Sequence, residues 1–200
     1  MSKIKLTKGE LKRQRDALRQ FQHYLPTLQL KKQQLQLKIR EARQQYAFKE
    51  KERAAAEQAV QHWIGVLGEG GVDVSTWIIP RKVTVSHTNI AGTEVPVFGA
   101  VVFPEAAYDL FSTPLWVDRA VERLKGYLGL VAEIEVLREG IARLEKELRV
   151  TTQRVNLFEK VKIPECQENI RIIRIYLGDQ MANAVGIGKV AKKKLELAEV

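Results

Sequence analysis

Cysteine is nearly absent from this chain. Among its 200 residues Cys166 stands alone, aromatic side chains make up 7%, and there are two methionines and three tryptophans. One cysteine excludes a disulfide framework and fits a reducing compartment. With so few aromatics, the 45% of residues that are apolar suit helix seams better than one large globular core. No apolar run approaches the roughly 20 residues needed to span a bilayer. Residues 1–20 are charged and lack the apolar segment of a secretory leader. These absences predict a soluble, cytoplasmic chain without direct membrane insertion.

Site chemistry is equally sparse. His23, His62 and His87 are isolated, so no metal-ligand spacing such as HxxxH occurs. Cys166 lies in an apolar stripe and reads as a buried structural thiol rather than a nucleophile, which needs an electropositive, partly exposed site. Gly186–Ile187–Gly188–Lys189 lacks the earlier glycine, the Ser/Thr after lysine and the preceding strand of a phosphate loop. Carboxylates are spread along the chain without a recognisable acid/base pair. No catalytic residue, metal or cofactor is expected.

What the chain does contain is two long heptad ladders. In the first, Leu11, Gln14, Leu18, Phe21, Leu25, Leu28, Lys32, Leu35, Ile39, Ala42, Tyr46, Lys49, Arg53, Ala56, Val60, Trp63 and Leu67 follow at steps of three and four. Thirteen of these seventeen positions are apolar. The pattern predicts that the N-terminal segment 1–67 is one long helix, whose ladder from Leu11 to Leu67 spans on the order of 85 Å. Thr7 and Glu10 offer a capping box at its start. Pro26 removes one backbone hydrogen bond inside it and predicts a kink. Leu30 and Leu37 lie opposite the seam, one heptad apart, and are candidates for contact with a partner protein of the same assembly.

Gly68 to Gly71 (GEGG) stop this helix, and the composition changes at once. Residues 68–112 read as a small cap. Val83 and Val85 alternate with Thr84 and Ser86, and Val95, Val97 and Val101–Phe103 follow Gly92. The alternation predicts a β-hairpin with strands near 82–87 and 95–103, with Pro96 at an edge or bulge. Ser112–Thr113–Pro114 then restarts a helix. Its ladder runs through Ile134, Leu137, Ile141, Leu144, Leu148, Thr151, Val155 and Phe158. The stripe resumes one residue out of phase at Ile163, Cys166, Ile170, Ile173 and Leu177, and the slip coincides with Pro164. The second helix is expected over 113–178, on the order of 100 Å long, with Gly178, Gly186 and Gly188 loosening a basic tail over 179–200.

The predicted fold class is mainly α: a long antiparallel two-helix coiled coil, or helical hairpin, with a small β-hairpin cap at the end opposite the termini. All four segments form one elongated domain. The net charge of +9 is uneven. Residues 1–62 carry 15 Lys/Arg against 6 Asp/Glu, residues 63–112 carry 2 against 5, and residues 113–200 carry 16 against 13. A basic first helix points to an acidic partner surface.

Several passages together resemble the D subunit of the V/A-type rotary ATPases, in its shorter bacterial branch. They are KLTKGEL (5–11), YLPTLQLKKQQL (24–35), NIAGTEVPV (89–97), RVNLFEKVKIPE (154–165) and GKVAKKK (188–194). The fourth is the most specific, with Arg154, Val155, Asn156, Glu159, Ile163 and Pro164 standing where the family's signature has them. The resemblance covers the whole chain. It implies a non-catalytic central-stalk component, the axle of a rotary ATPase or ATP synthase. Such an axle couples ATP turnover in the hexamer of A and B subunits to rotation of a membrane ring and to ion transport. It further implies the F subunit on the side of the coiled coil and the C (d) subunit at the lower end. On this reading Lys12, Arg13, Arg15, Arg19, Lys192, Lys193 and Lys194 are candidate hexamer contacts.

Two other classes share parts of the pattern. A prefoldin-like chaperone also has a helix–hairpin–helix layout. A basic nucleic-acid-binding coiled coil would suit a pI near 9.7, but needs stacking aromatics beside its basic residues. Here Phe21, Tyr46 and Trp63 fall in the seam, so no nucleic-acid partner is expected.

Overall fold

A computed structural model of the chain describes residues 4–61, 65, 74–108 and 113–198. It is mainly helical, with one two-stranded sheet, as the ladders and the alternating segment predict. The elements are α1 (Lys8–Gln61), α2 (Ser75–Ile78), β1 (Lys82–Ile90), β2 (Thr93–Val102), α3 (Trp116–Leu157), a π-helical turn (Phe158–Lys162) and α4 (Ile163–Ala198). The chain forms two compact units. The first combines Met1–Lys31 with Thr151–Val200, and the second is Lys32–Val150.

In the first unit α1 starts on a side-chain cap. Thr7 Oγ1 accepts the Glu10 N–H at 3.2 Å, filling one of the places a helix start leaves open, and the Thr7 carbonyl accepts the Leu11 N–H at 3.0 Å as the first regular helix bond. The Glu10 carboxylate accepts from Gln14 Nε2 at 2.8 Å instead of reaching back to the cap, so half of the capping box forms. α1 runs through Pro26 without interruption. Against it lies the later helix, in antiparallel sense: Phe21 meets Phe158 with ring centroids 5.0 Å apart, and Asn169 Nδ2 donates to Gln14 Oε1 at 3.4 Å. Thr151, Val155, Cys166, Ile170 and Ile173 are all buried, so the ladder predicted from spacing does face inward.

The phase slip has a local cause. Ile163 N–H bonds to the carbonyl of Phe158, a step of five residues, and Phe158–Lys162 forms a π-helical turn. One extra residue in a turn rotates the following stripe back onto the partner. Pro164 sits just beyond, at the second position of α4. Its ring and missing N–H disfavour a regular α-turn across 160–164, and the wider turn relieves that conflict.

α4 continues through Gly178, Gly186 and Gly188 to Ala198, whereas glycine content alone placed the helix end at 178. Each glycine costs about 1 kcal/mol relative to alanine, but no proline follows, and the remaining residues are largely Ala, Lys, Leu, Met and Val. Residues 178–195 are all exposed.

In the second unit α1 and α3 also run antiparallel, with ion pairs Arg43–Glu145 at 2.6 Å and Lys49–Glu133 at 3.2 Å. The hairpin packs against the sides of these two helices. Its Val95 joins Leu35 and Ile39 of α1 and Leu144 of α3 in one buried cluster, with Ile90, Ala91 and Leu148 packed against it. The strands pair from Ile90↔Thr93 to Lys82↔Val102, and so run longer than the spacing predicted. They meet in a two-residue turn, Ala91–Gly92, with φ of 50° and 80°, both positive as a type I′ turn requires. Ala91 is an uncommon residue there. Asn89 Oδ1 accepts the Gly92 N–H at 2.8 Å and holds the turn.

Two glycines let the hairpin fit. Gly99 is the extra residue of a β-bulge opposite Thr84/Val85, and a Cβ there would lie 3.0 Å from the Thr84 carbonyl oxygen. Gly140 of α3 is buried under the hairpin, and a Cβ there would meet Val95 Cγ1 at 3.0 Å. A second buried patch contains Val117, Ala120 and Val121 at the start of α3. Nearby, Lys125 Nζ donates to the Pro104 carbonyl at 3.1 Å and lies over the Phe103 ring, while the Tyr108 hydroxyl donates to the Asp118 carboxylate. Helix α3 begins at Trp116. The predicted positions Trp63, Leu67, Gly68 to Gly71 and Ser112 lie outside the described residues.

Candidate functional site

The residues singled out by sequence divide into a buried set that builds the fold and an exposed set available to partners. Within the passage 154–165 the π-helical turn makes that division. Val155 is buried and Ile163 half-buried, whereas Arg154, Asn156, Glu159 and Pro164 are exposed. The apolar members keep the seam closed across the turn. The polar members take no part in it and present side chains outward, together with the exposed Leu157 and Val161.

The basic candidates are all on helix surfaces. Lys12, Arg13, Arg15 and Arg19 are exposed on the first turns of α1, and Arg13 lies 3.7 Å from Glu10. Lys192, Lys193 and Lys194 are exposed on α4. Leu30 and Leu37 are 55% and 54% exposed. Leu37 stands with Gln34 and Lys38 beside the hairpin turn, lining a shallow hollow with Thr88, Asn89 and Ala91.

Conventional chemistry is not assembled. Among the described residues no group of three or more His, Cys, Asp and Glu could hold a metal ion. Among the described residues the ion-paired carboxylates meet bases one turn away or across the helix pair, as in Lys162–Glu165 and Arg171–Glu168. Hydrogen bonds with these partners raise the pKa of Lys162 and lower that of Glu168. Cys166 is buried, and removal from water pushes its thiol pKa up, with the Glu165 charge adding to the shift, so it is a poor nucleophile. Gly186–Lys189 is helical and exposed, which removes the loop that a phosphate cradle requires. No described helix is long and apolar enough to cross a membrane. His23 is exposed with its ring 5.5 Å from that of Tyr24, His87 is exposed on β1, and His62 lies outside the described residues.

Two features left no trace, or only half a trace, in the sequence. One is an open groove of about 350 Å³ between the hairpin and the helices of the second unit, lined among others by Gln45, Val97, Phe98, Leu137 and Ile141. Such a groove needs residues far apart in sequence, so periodicity does not display it. The other is a polar stretch of seam. Tyr46 donates to Glu50 at 3.0 Å, Arg53 bonds to Glu50 at 3.1 Å, and Lys49 bridges Glu52 and Glu133. Its signal is present as the polar ladder positions Lys49 and Arg53 with Glu50, Glu52 and Glu57 one turn away, and only the cross-helix partner Glu133 leaves no trace in the spacing.

The same linear features are shared with known proteins. The profile of the family described as the D subunit of ATP synthase matches residues 10–193. The V-type ATP synthase D subunit of Borreliella burgdorferi is 44% identical over 195 residues, covering 98% of this chain and 96% of that protein. Those of Chlamydia caviae and Chlamydia pneumoniae are 36% and 34% identical, each over 199 residues and at least 94% of their own lengths.

Proposed function

Because the chain belongs to the D-type subunits of V-type ATP synthases, we propose that it is the non-catalytic central-stalk component of a rotary ATPase or ATP synthase. In this role it couples ATP hydrolysis or synthesis in a hexamer of A and B subunits to rotation of a membrane ring and movement of protons or sodium ions. The observation that carries the reading is the seam. Across both units its positions are buried or half-buried on one side of the later helix, from Ile134 to Leu177, while most of its charged residues are exposed, together with a few apolar ones such as Leu157, Val161, Ile172 and Ile175. A stalk that transmits torque must resist twisting, and close-packed side chains between two helices resist it because few voids are left to collapse into.

The exposed charges suit a surface that slides against others. A surface ion pair contributes on the order of 0–1 kcal/mol, so contacts by Lys12, Arg13, Arg15, Arg19 and Lys192–Lys194 with acidic residues of the hexamer are individually weak. Rotation then exchanges many small interactions and never breaks one large one. Leu30 and Leu37 serve as apolar contacts for a neighbouring protein of the assembly, with the F subunit on the flank of the helix pair and the C (d) subunit at its lower end. The chain supplies no catalytic residue and binds no cofactor. It sits peripheral to the membrane, in the soluble sector.

Purification of the tagged chain from native membranes tests this. The A, B and F subunits are expected to come with it, and ATP hydrolysis by the recovered complex should turn a bead fixed to this chain. Recovery of the chain alone, or of a complex whose ATP turnover leaves the bead still, would overturn the proposal.

A further inference from the structure

The two edges of the hairpin differ sharply. In a two-residue hairpin the residues flanking the turn form a hydrogen-bonded pair, and such pairs alternate with pairs whose N–H and C=O groups point away from the partner strand. Ile90↔Thr93, Thr88↔Val95 and Ser86↔Val97 are therefore the bonded pairs, and His87↔Pro96 and Val85↔Phe98 point outward. Pro96 fits this parity, since it has no N–H to donate to β1. The outward edge of β2 is covered from Glu94 to Pro96. Pro96 has no donor, Arg143 Nη1 donates to the outward carbonyl of Glu94 at 3.4 Å, and the Pro96 carbonyl lies against Gly140 of α3.

The edge of β1 is open. Residues 82–89 are exposed without a break, and the backbone groups of Val83, Val85 and His87 point outward with no partner among the described residues. Natural edge strands are commonly protected by proline, a bulge or charged side chains. β1 has no proline, its bulge lies on β2, and from Val83 to Ile90 it carries no Lys, Arg, Asp or Glu. Charge gathers at one end only, where Arg81 and Lys82 are exposed with no acidic residue between 81 and 93.

We propose that the outer edge of β1 takes up an extended segment of another polypeptide, adding a third strand to the sheet. The occupant is free of proline over its paired residues and carries Asp or Glu at the end lying beside Arg81 and Lys82. Main-chain hydrogen bonds to Val83, Val85 and His87 hold it, and the acidic end sets its direction. This deepens the stalk reading by naming a surface for one of its partners, and it rests on that reading.

Residue-resolved amide exchange tests it, on the full-length chain alone and on the same chain within the complex recovered from native membranes. The Val83, Val85 and His87 amides should exchange at least about tenfold more slowly in the complex, while inward amides such as Thr88 change little. His87→Pro removes one outward donor and leaves the inner ladder intact, and it should abolish the added protection at Val83 and Val85. Arg81→Glu with Lys82→Glu tests the acidic end without altering the backbone. Equal exchange of the outward amides in chain and complex overturns the proposal while leaving the stalk reading standing. If no partner proteins are recovered, the stalk reading fails, and a synthetic peptide of alternating valine and threonine ending in two glutamates decides the edge. Protection of the same three amides in the full-length chain supports strand addition, and its absence overturns it. Protection of these amides in a self-associated form of the isolated chain overturns it in favour of a second copy as occupant.

Discussion

The two units solve the same packing problem by different means. In the first, Met1–Lys31 with Thr151–Val200, the later helix contributes a run of buried side chains, Val155, Cys166, Ile170 and Ile173, and Asn169 to Gln14 is a polar link across the seam. In the second, Lys32–Val150, a compact cluster of Leu35, Ile39, Leu144 and the hairpin's Val95 gives way along α1 to ion pairs such as Lys49–Glu133. One unit relies on a mainly apolar seam. The other joins a local core, reinforced by strands, to a polar seam. Damage should therefore stay local in character, and each unit should respond to a different perturbation.

The largest effect belongs to the apolar seam. Ile173 is fully buried, and Ile173→Ala removes its packing and leaves a cavity at a cost of about 2–5 kcal/mol. Amide exchange should accelerate around 11–21 and 166–177, and change far less around Leu35, Val95 and Leu144. Thermal unfolding should broaden or split, because two units need not melt as one. A uniform acceleration over both units would show that they unfold together and would remove the distinction.

Gly140→Ala is next, and it probes the second unit alone. Alanine in a helix interior gains about 1 kcal/mol over glycine, yet here the new methyl would lie 3.0 Å from Val95 Cγ1. Overpacking costs about 1–3 kcal/mol, so a net loss of about 1 kcal/mol is expected, with the hairpin displaced and α3 intact. Faster exchange at Val95 and Ile90 with unchanged helical circular dichroism would match this. A stabilised variant would mean that the hairpin yields without strain.

How much of this comparison was legible beforehand follows from range. The seam positions from Ile134 to Leu177, the type of every long element and the Thr7 cap depend on residues a few places apart, and their spacing displays them. The phase slip at Pro164 was visible, but not its form, because a π-helical turn is the joint result of a proline and a seam that must stay closed. The extent of α4 past Gly178 is hidden because glycine reads as a stop, while the helix-forming residues around it outweigh each single cost. The docking of Val95 on Gly140 was not legible at all, since it joins positions 45 residues apart through shape. Of the candidate contacts, exposure of Lys12, Arg15, Arg19, Leu30 and Leu37 followed from heptad phase. What they touch depends on surfaces outside this chain.

A smaller, pH-dependent effect separates the seams again. The Cys166 thiol is buried and its pKa is raised by desolvation above an ordinary value of 9.0. The unfolded thiol therefore ionises first. Its share of stability is fully present below the unfolded pKa and is lost as pH rises from that value through the folded one. Stability of wild type relative to Cys166→Ala should be constant from pH 6 to about pH 8, then fall toward pH 10. The comparison with the variant cancels the tyrosines and lysines that titrate in the same range. A difference that stays flat to pH 10 would mean that the thiol is not desolvated.

The smallest effect should come from the polar seam. Lys49 is held by hydrogen bonds to Glu52 and Glu133, which raise its pKa, and burial offsets part of the gain. The side chains of Lys49 and Glu133 are 28% and 25% exposed, so salt reaches the pair and screens it. Lys49→Met keeps most of the apolar stem that lines the seam and removes the charge. The expected cost is below about 1 kcal/mol at low salt and smaller still at 0.5 M salt. Repeating the measurement with Glu133→Gln and the double variant isolates the pair from the second contact to Glu52. A coupling that persists undiminished in high salt would place this pair in a drier seam than its exposure indicates, and would make the two units more alike than their residues suggest.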